Sequence, residues 1–241
     1  MTTELVPQVP RPGKDARRIQ AMFSQIARRY DLLNHLLSGG VDIAWRRQLV
    51  RDALEPRHRR VLDVACGTAD LALALRRAAH PAARVAGADF ARPMLRLAQK
   101  KSPREVKWIQ ADGLNLPFAD NSFDLVTIAF GIRNMESLAG ALAEFHRVLR
   151  PGGRVAILEF SQPENFLVRS VYHPYFLHVL PRIGAALSQR RAYLYLPHSV
   201  LHFPGRRELA RRMKRTGFTR VRHASLSFGI AAIHLGEKKR T

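Results

Sequence analysis

Three aspartates recur behind short apolar runs at similar intervals. Asp63 lies within Arg60–Val64, Asp89 directly follows Arg84–Ala88, and Asp112 stands two residues beyond Val106–Gln110. A carboxylate ending a second strand can accept hydrogen bonds from both ribose hydroxyls of a nucleoside. One ending a third strand can accept from an adenine amino group. Asp63 leads into Cys66-Gly67-Thr68-Ala69-Asp70, a small-residue turn that would let a ligand lie against backbone at a helix N-terminus. Pyrophosphate recognition calls for three glycines in G-x-G-x-x-G, and only Gly67 is glycine here, so a dinucleotide is disfavoured. Taken singly, each acid is equally a strand-end or helix-cap residue. Three in order, at the carboxyl ends of consecutive strands, line the crevice where open α/β sheets bind ligands. An adenosine without phosphate is implied, and S-adenosylmethionine fits.

Other residues offer chemistry beside that crevice. Arg133 follows a fourth β-rich run, Leu125–Phe130. Its guanidinium cannot act as a base near neutral pH, but it can lower the pKa of a substrate hydroxyl or orient a water. The alternative is a salt bridge closing the fold. Tyr30 and Asp31 read either as part of a lid or as packing and capping residues. His173, His178, His198 and His202 lie in or near an apolar insert, as candidate bases or as surface and pocket residues. A lone cysteine, Cys66, allows neither an internal disulfide nor a cysteine metal cluster, and no other metal-ligand constellation is evident.

The elements that must position these residues follow from periodicity. Ile19, Met22, Phe23 and Ile26 form one apolar stripe, predicting a helix over Ala16–Arg29, and a second helix is expected over Ile43–Leu54. Strands are expected at Arg60–Val64, Arg84–Ala88, Val106–Gln110, Leu125–Phe130 and Arg154–Phe160. Helices Asp70–Ala79, Met94–Lys100 and Leu138–Leu149 should alternate with them, the last stopped by Pro151-Gly152-Gly153. A helix over Arg206–Gly217 and strands Arg220–Ser225 and Ala231–Leu235 close the chain. This alternation predicts an α/β fold with a doubly wound, mostly parallel, seven-stranded sheet. Residues 1–15, with three prolines, read as a flexible tail, and residues 16–241 as one domain. Within it, residues 16–55 would form a helical lid and 162–205 an apolar and basic cap over the substrate.

The 241 residues suffice for one domain with a real core. With 46% hydrophobic and 24% charged residues, a wholly disordered chain, collagen and a disulfide scaffold are excluded. The start lacks the apolar stretch of a secretory signal. The longest runs free of Asp, Glu, Lys and Arg are 14 residues, Ala192–Gly205 and His223–Gly236, too short to span a bilayer. Forty basic against nineteen acidic residues give a net +21. From Ser161 to Arg222 there are 12 basic and 2 acidic residues, a net +10. Such a surplus suits a polyanionic neighbour, nucleic acid or an anionic membrane surface, unless it simply decorates solvated faces. The insert Gln162–Phe203 adds Phe166, Tyr172, Tyr175, Phe176, Tyr193, Tyr195 and Phe203. Aromatic residues with a basic flank suit a prenyl tail arriving from a membrane, or an ordinary hydrophobic cap.

These segments carry a resemblance. VLDVACGTAD, GADF, QADGLNLPF and VLRPGG resemble the class I methyltransferase motifs. More specifically, the chain resembles the ubiquinone/menaquinone C-methyltransferase family from about residue 18 to Lys238. The resemblance rests on Tyr30-Asp31, Asn34, Ser38, Gly40, Trp45 and Arg46, on Phe130-Gly131-Ile132-Arg133-Asn134, and on Leu158-Glu159-Phe160-Ser161. The Cys-Gly-Thr-Ala-Asp turn and Asp89-Phe90 resemble the menaquinone branch more than the ubiquinone branch. Leu33 stands where Met is usual, Gly113 where Ala is common, and Ala129 where some members have a cofactor-contacting serine. The resemblance implies a Rossmann-like methyltransferase that moves a methyl group from S-adenosylmethionine, without a metal, to a ring carbon of a prenylated quinol. Demethylmenaquinol is the substrate implied for this branch. The alternatives are a ubiquinone precursor quinol or, less in keeping with FGIRN after strand four, an RNA or small-molecule methyltransferase. Asp63, Gly67, Thr68, Asp89, Asp112 and Gly113 are the expected cofactor-binding residues, and Arg133 and Tyr30 the expected catalytic ones. A cytoplasmic enzyme bound peripherally to the inner face of the membrane is implied. No nucleic-acid partner is expected, and a homo-oligomer is allowed.

Overall fold

A computed structural model describes residues 19–22, 24, 25, 27, 35, 38–102, 104–175 and 190–240. Seven strands form one sheet in the order β3-β2-β1-β4-β5-β7-β6. They are β1 (Arg60–Val64), β2 (Arg84–Asp89), β3 (Lys107–Gln110), β4 (Phe123–Ala129), β5 (Leu149–Phe160), β6 (Phe218–Leu226) and β7 (Ala231–Lys238). The first five run parallel, whereas β7 is antiparallel to β5 and β6 to β7. The strand order reverses between β1 and β4, and there the crevice opens.

Strand alternation builds a core on each face. Val61, Leu125, Ala156 and Leu158 point to one side and meet Trp45 and Leu49 of α1 (Val41–Ala53) and Leu71 and Leu75 of α2 (Asp70–Ala78). Leu62, Val126, Val155 and Ile157 point to the other. There they meet Leu142 and Phe145 of α4 (Leu138–Val148) and Leu209 and Met213 of α7 (Arg206–Arg215). The α3 helix (Arg92–Lys101) follows β2 and covers it and β3. Burial on both faces explains why β1 and β4 read as nearly unbroken apolar runs.

Most elements begin or end within a few residues of the sequence expectation, and two of the differences have a clear local cause. The helix before Pro151-Gly152-Gly153 ends at Val148, and β5 begins at Leu149, ahead of the Pro-Gly-Gly. Leu149 pairs with Phe123 and Arg154 with Leu125, so residues 150–153 bulge out of the ladder. Pro151 has no N–H to give, and Gly152 takes φ 77°, which a bulge needs and a helix forbids. The fourth strand stops at Ala129 because Phe130 turns to φ 57°, out of the extended region.

Residues 19–22, 24, 25 and 27 are helical, in keeping with the helix expected over Ala16–Arg29, and residue 35, beyond that range, is helical too. Ala27 packs against Ala91 and Met94. After β5 come α5 (Phe166–Pro174) and α6 (Arg190–Leu201), within the expected cap. The side chains of Tyr172, His173 and Tyr193, and all of residues 1–18, Tyr30, Asp31, Phe176 and His178, lie outside the described residues. Among the described residues, no helix is long and apolar enough to cross a membrane.

Candidate active site

The cofactor side of the crevice is built largely from backbone. Gly67 sits at φ 56° in the turn after β1, a conformation costly for other residues. Its N–H donates to Asp89 Oδ2 at 2.8 Å, and the Ala91 N–H donates to Asp89 Oδ1 at 2.8 Å. Asp89 thus ties the β1 turn to the start of α3. Burial pushes its carboxyl up, and these two N–H groups pull it back. Asp112 Oδ1 accepts from the Leu114 N–H at 2.9 Å. Gly67, Asp89, Asp112 and Gly113 all line one cavity of about 850 Å³, its open mouth included. That is room for a nucleoside-sized ligand. A Cβ on Gly113 would overlap the flexible end of the Met135 side chain, which would have to shift to admit it.

Asp63 and Thr68 stand behind this wall instead of on it. Asp63 is 1% exposed and accepts from the Thr127 hydroxyl at 2.8 Å. Burial pushes its carboxyl up to about 7, while Thr127, Arg46 and the Ala72 N–H oppose the shift. Thr68 is buried, and its hydroxyl accepts from Lys101 Nζ at 3.3 Å.

The far side of the crevice is a knot of side chains. Arg133, in the short 3₁₀ turn Ile132–Asn134, is buried. Its Nη1 donates to Glu159 Oε1 at 2.8 Å and to the Phe130 carbonyl. The Phe160 N–H also donates to Glu159 Oε1, at 2.8 Å, and the Arg133 N–H to Oε2 at 3.3 Å. Burial pushes the Glu159 carboxyl up, and the Arg133 charge opposes it. The Arg133 guanidinium lies 5.3 Å from the Phe160 ring centre. Phe130 and Phe160 are 4.7 Å apart between centres, and Trp45 packs on both at 6.1 and 6.2 Å. Arg46 lies over Phe130 at 5.3 Å, and the Trp45 indole N–H donates to Ser227 Oγ at 3.0 Å. Asp42 accepts from His35 (2.9 Å), Ser38 (2.8 Å) and Arg46, which pins the start of α1. Gly39 and Gly40, at φ 61° and 78°, make the turn into that helix.

The expectation that Arg133 faces a substrate oxygen is therefore replaced by a position behind the wall. The polar group that this segment shows to the cavity is Asn134, whose Oδ1 accepts from the Tyr195 hydroxyl of α6 at 3.1 Å. Burial pushes the Tyr195 phenol up. Tyr30 lies outside the described residues. Among those described, no three His, Cys, Asp or Glu side chains cluster as a metal site would require.

The sequence pattern of the ubiE/COQ5 methyltransferase family matches residues 12–238. This chain belongs to that family. It is 51% identical to a demethylmenaquinone methyltransferase of Thermus thermophilus, over 90% of this chain and all of that one. It is 47% identical to one of Deinococcus radiodurans, over 99% and 100%. It is also 47% identical to a ubiquinone/menaquinone biosynthesis C-methyltransferase of Geobacter sulfurreducens, over 92% and 88%. A SAM-dependent methyltransferase of Thermotoga maritima shares the fold, with a TM-score of 0.66 and 21% identity over 92% of this chain and all of that one. So does the [4+2]-cyclase SpnF, at 0.69 and 15% over 96% and 99%. The same fold thus carries different reactions, and the site must decide.

The three signature segments of the family converge in the knot. Trp45 and Arg46 come from the first, Phe130 and Arg133 from the second, and Glu159 and Phe160 from the third. Sequence reasoning assigned no role to Glu159, Asn134 or Tyr195. Glu159 had a readable signal, since an acid preceding Phe-Ser at a buried strand end requires a charge partner. The Tyr195–Asn134 contact joins positions 61 residues apart and had none. The cavity's apolar lining by Phe90, Met94, Leu114 and Met135 was equally unmarked.

Proposed function

We propose that this chain transfers a methyl group from S-adenosylmethionine to a ring carbon of a prenylated demethylmenaquinol, giving menaquinol. The observation that carries the proposal is one continuous wall. The cavity that holds Asp89 and Asp112 also holds Phe130, Gly131 and Asn134 of the family's signature after strand four. A nucleoside cradle and the family's own segment therefore face the same space. The relatives named demethylmenaquinone methyltransferase, covered almost end to end, support the quinol.

The residues fit the cofactor: two acids without a phosphate-binding glycine triad, a backbone turn at Gly67, and Gly113 in the same wall. Asp89 would accept from ribose hydroxyls on the lone pairs that Gly67 and Ala91 leave, and Asp112 from adenine. Asp63 and Thr68 would act from behind, by holding the turn. S-adenosylmethionine supplies a methyl group on a sulfonium, an electrophile that needs positioning more than activation. A carbon–carbon bond forms at the ring, the carbon–sulfur bond breaks, and the ring carbon's proton is lost. Ionisation of a neighbouring quinol hydroxyl raises electron density at that carbon, so the quinol and not the quinone reacts. Asn134, fixed by Tyr195, offers that hydroxyl a polar partner. Arg133 is a positioning residue that holds Asn134 through Glu159 and the Phe130 carbonyl, and Tyr30 is retained as a catalytic candidate in the lid. Peripheral attachment to the inner face of an anionic membrane completes the reading, supported by the net +10 from Ser161 to Arg222.

Tritiated S-adenosylmethionine offered with demethylmenaquinol, a ubiquinone-precursor quinol and RNA tests it. Label should enter the lipid extract with demethylmenaquinol. Label in RNA, or in none of the three, removes the proposal. Arg133→Lys tests the positioning role through a pH profile. Turnover should fall with cofactor affinity retained, and the deficit should not shrink as pH nears the quinol pKa, because Arg133 does not face the oxyanion.

A further inference from the structure

Three large apolar side chains stand apart from the rest of the described surface. Phe228 is 82% exposed, Leu167 72% and Phe166 68%, whereas the next is Val41 at 39%. They come from two segments that touch. Phe228 lies in the Ser227–Gly229 turn between β6 and β7. A Cβ on Gly229 would lie 3.3 Å from Pro163 Cα, and the Ser161 N–H donates to the Ile230 carbonyl at 2.8 Å. Phe166 and Leu167 open α5, three residues beyond Pro163. Leu201, 38% exposed, joins them, since its carbonyl accepts from Gln162 Nε2 at 3.2 Å.

The backbone holds Phe228 outward at a cost. Ser227, Phe228 and Gly229 take φ 43°, 57° and 95° in succession. Two of these are non-glycine residues in the left-handed region, and an aromatic residue is disfavoured there. Strain of this kind persists where function requires the presented side chain.

The flank is basic. Arg169 is exposed one helical turn from Phe166, and Arg207 is exposed beside Glu164. Glu164, the acid of this segment, is paired with Arg206 at 2.5 Å and lies 3.7 Å from Arg207. Phe160 pairs with Ala231, so the β6–β7 turn emerges at the carboxyl edge of the parallel strands, the edge on which the cavity opens.

We propose that Phe166, Leu167 and Phe228 form an apolar wedge that enters the interfacial layer of an anionic bilayer, with Arg169 and Arg207 on the headgroups. The inference rests on the membrane attachment proposed above and adds its residues and its orientation. Exposed aromatic and aliphatic side chains bordered by arginine suit that interface, where apolar tips are buried and cations meet anionic lipid. A quinol would then pass from bilayer to cavity without crossing water.

The full chain is sedimented with vesicles of phosphatidylcholine, with and without phosphatidylglycerol, beside a Phe166→Ala, Leu167→Ala, Phe228→Ala variant. Truncation removes surface side chains and leaves the core intact, so the variant should fold. Its partitioning onto anionic vesicles should fall on the order of tenfold or more. Salt sensitivity should persist, because the arginines remain. Phe228→Asn, which tolerates the left-handed turn, should give a smaller loss in the same direction. Turnover of a short-tailed, water-soluble quinol should be unchanged in both, while turnover of vesicle-borne quinol falls. A wild-type chain that binds anionic vesicles, with a triple variant that binds equally, overturns the wedge and leaves the attachment standing. A wild-type chain that stays in solution overturns both. Equal vesicle binding with a dimer turned monomer in the triple variant overturns the wedge by assigning the patch to a second copy.

Discussion

The two sides of the crevice are made differently. On the cofactor side, Asp89 and Asp112 accept backbone N–H groups, and Gly67 and Gly113 contribute the absence of a side chain. On the other side, Arg133, Glu159, Phe160 and Trp45 pack behind the wall, and of this aromatic knot Phe130 lines the cavity. The first is an open surface shaped for a ligand. The second is a closed frame whose residues hold a wall for others to use. The frame should therefore matter through the wall it holds, and the comparison can be broken at several points.

The largest effect is expected at Glu159. Glu159→Ala leaves Arg133 as a buried, unpaired cation and should cost about 3–5 kcal/mol in urea unfolding. Adding Arg133→Met should recover much of that loss. A single variant with normal stability would mean that the knot is not a frame.

Two buried groups behind the crevice, His234 and Asp63, should show opposite pH dependences. His234 on β7, opposite Ile157, is buried, with Nε2 hydrogen-bonded to the Arg206 carbonyl at 2.8 Å, and burial pushes its pKa down to about 4. Unfolded histidine titrates near 6.5, so between these values the unfolded chain binds more protons. This contribution is present above about pH 6.5 and is lost as pH falls toward 4, roughly 3 kcal/mol in full. Asp63 has the reverse sign. Its folded pKa of about 7 lies above the ordinary 3.8. Its contribution is present below about pH 4 and is lost as pH rises through 7, on the order of 4 kcal/mol. Thermal unfolding against pH should show His234→Gln flattening the acid limb and Asp63→Asn raising the neutral one. Parallel curves for all three proteins would refute both assignments.

Next comes Asp89→Ala. Loss of a charged acceptor should weaken S-adenosylmethionine binding by about 1.5–3 kcal/mol, ten- to a hundredfold by calorimetry. Turnover at saturation should suffer less. An unchanged dissociation constant would place the ribose elsewhere. The smallest effect belongs to Gly113→Ala. The added methyl meets the flexible end of Met135, so affinity should fall only a few-fold, about 1 kcal/mol or less, with the melting temperature almost unmoved.

Much of this was legible in the sequence. The limits of β1, the alternation of strands and helices, and the carboxyl-edge placement of Asp89 and Asp112 all follow from local apolar runs and turns. The depth of Asp63 and Thr68 did not. Residues in a turn share its location but not its facing, and facing depends on how the turn twists against α2 and α3. The role of Arg133 was hidden for a related reason. Its partner Glu159 is 26 residues away on the neighbouring strand, and only sheet register brings the pair together. The Pro-Gly-Gly bulge misled because the same residues that stop a helix also bend a strand.

The hydrogen bond from Trp45 to Ser227 spans 182 residues. It fixes a schedule as well as a shape. A chain emerging from its N-terminus presents α1 and its tryptophan early, but their partner turn arrives only when the last hairpin is nearly complete. The sheet's parallel half can assemble before then, whereas the aromatic knot and the wall it steadies wait for the final strands. Loss of the final hairpin, β6 and β7, would thus reach back to α1, and a chain without it would hold a nucleoside cradle with no finished chamber beside it.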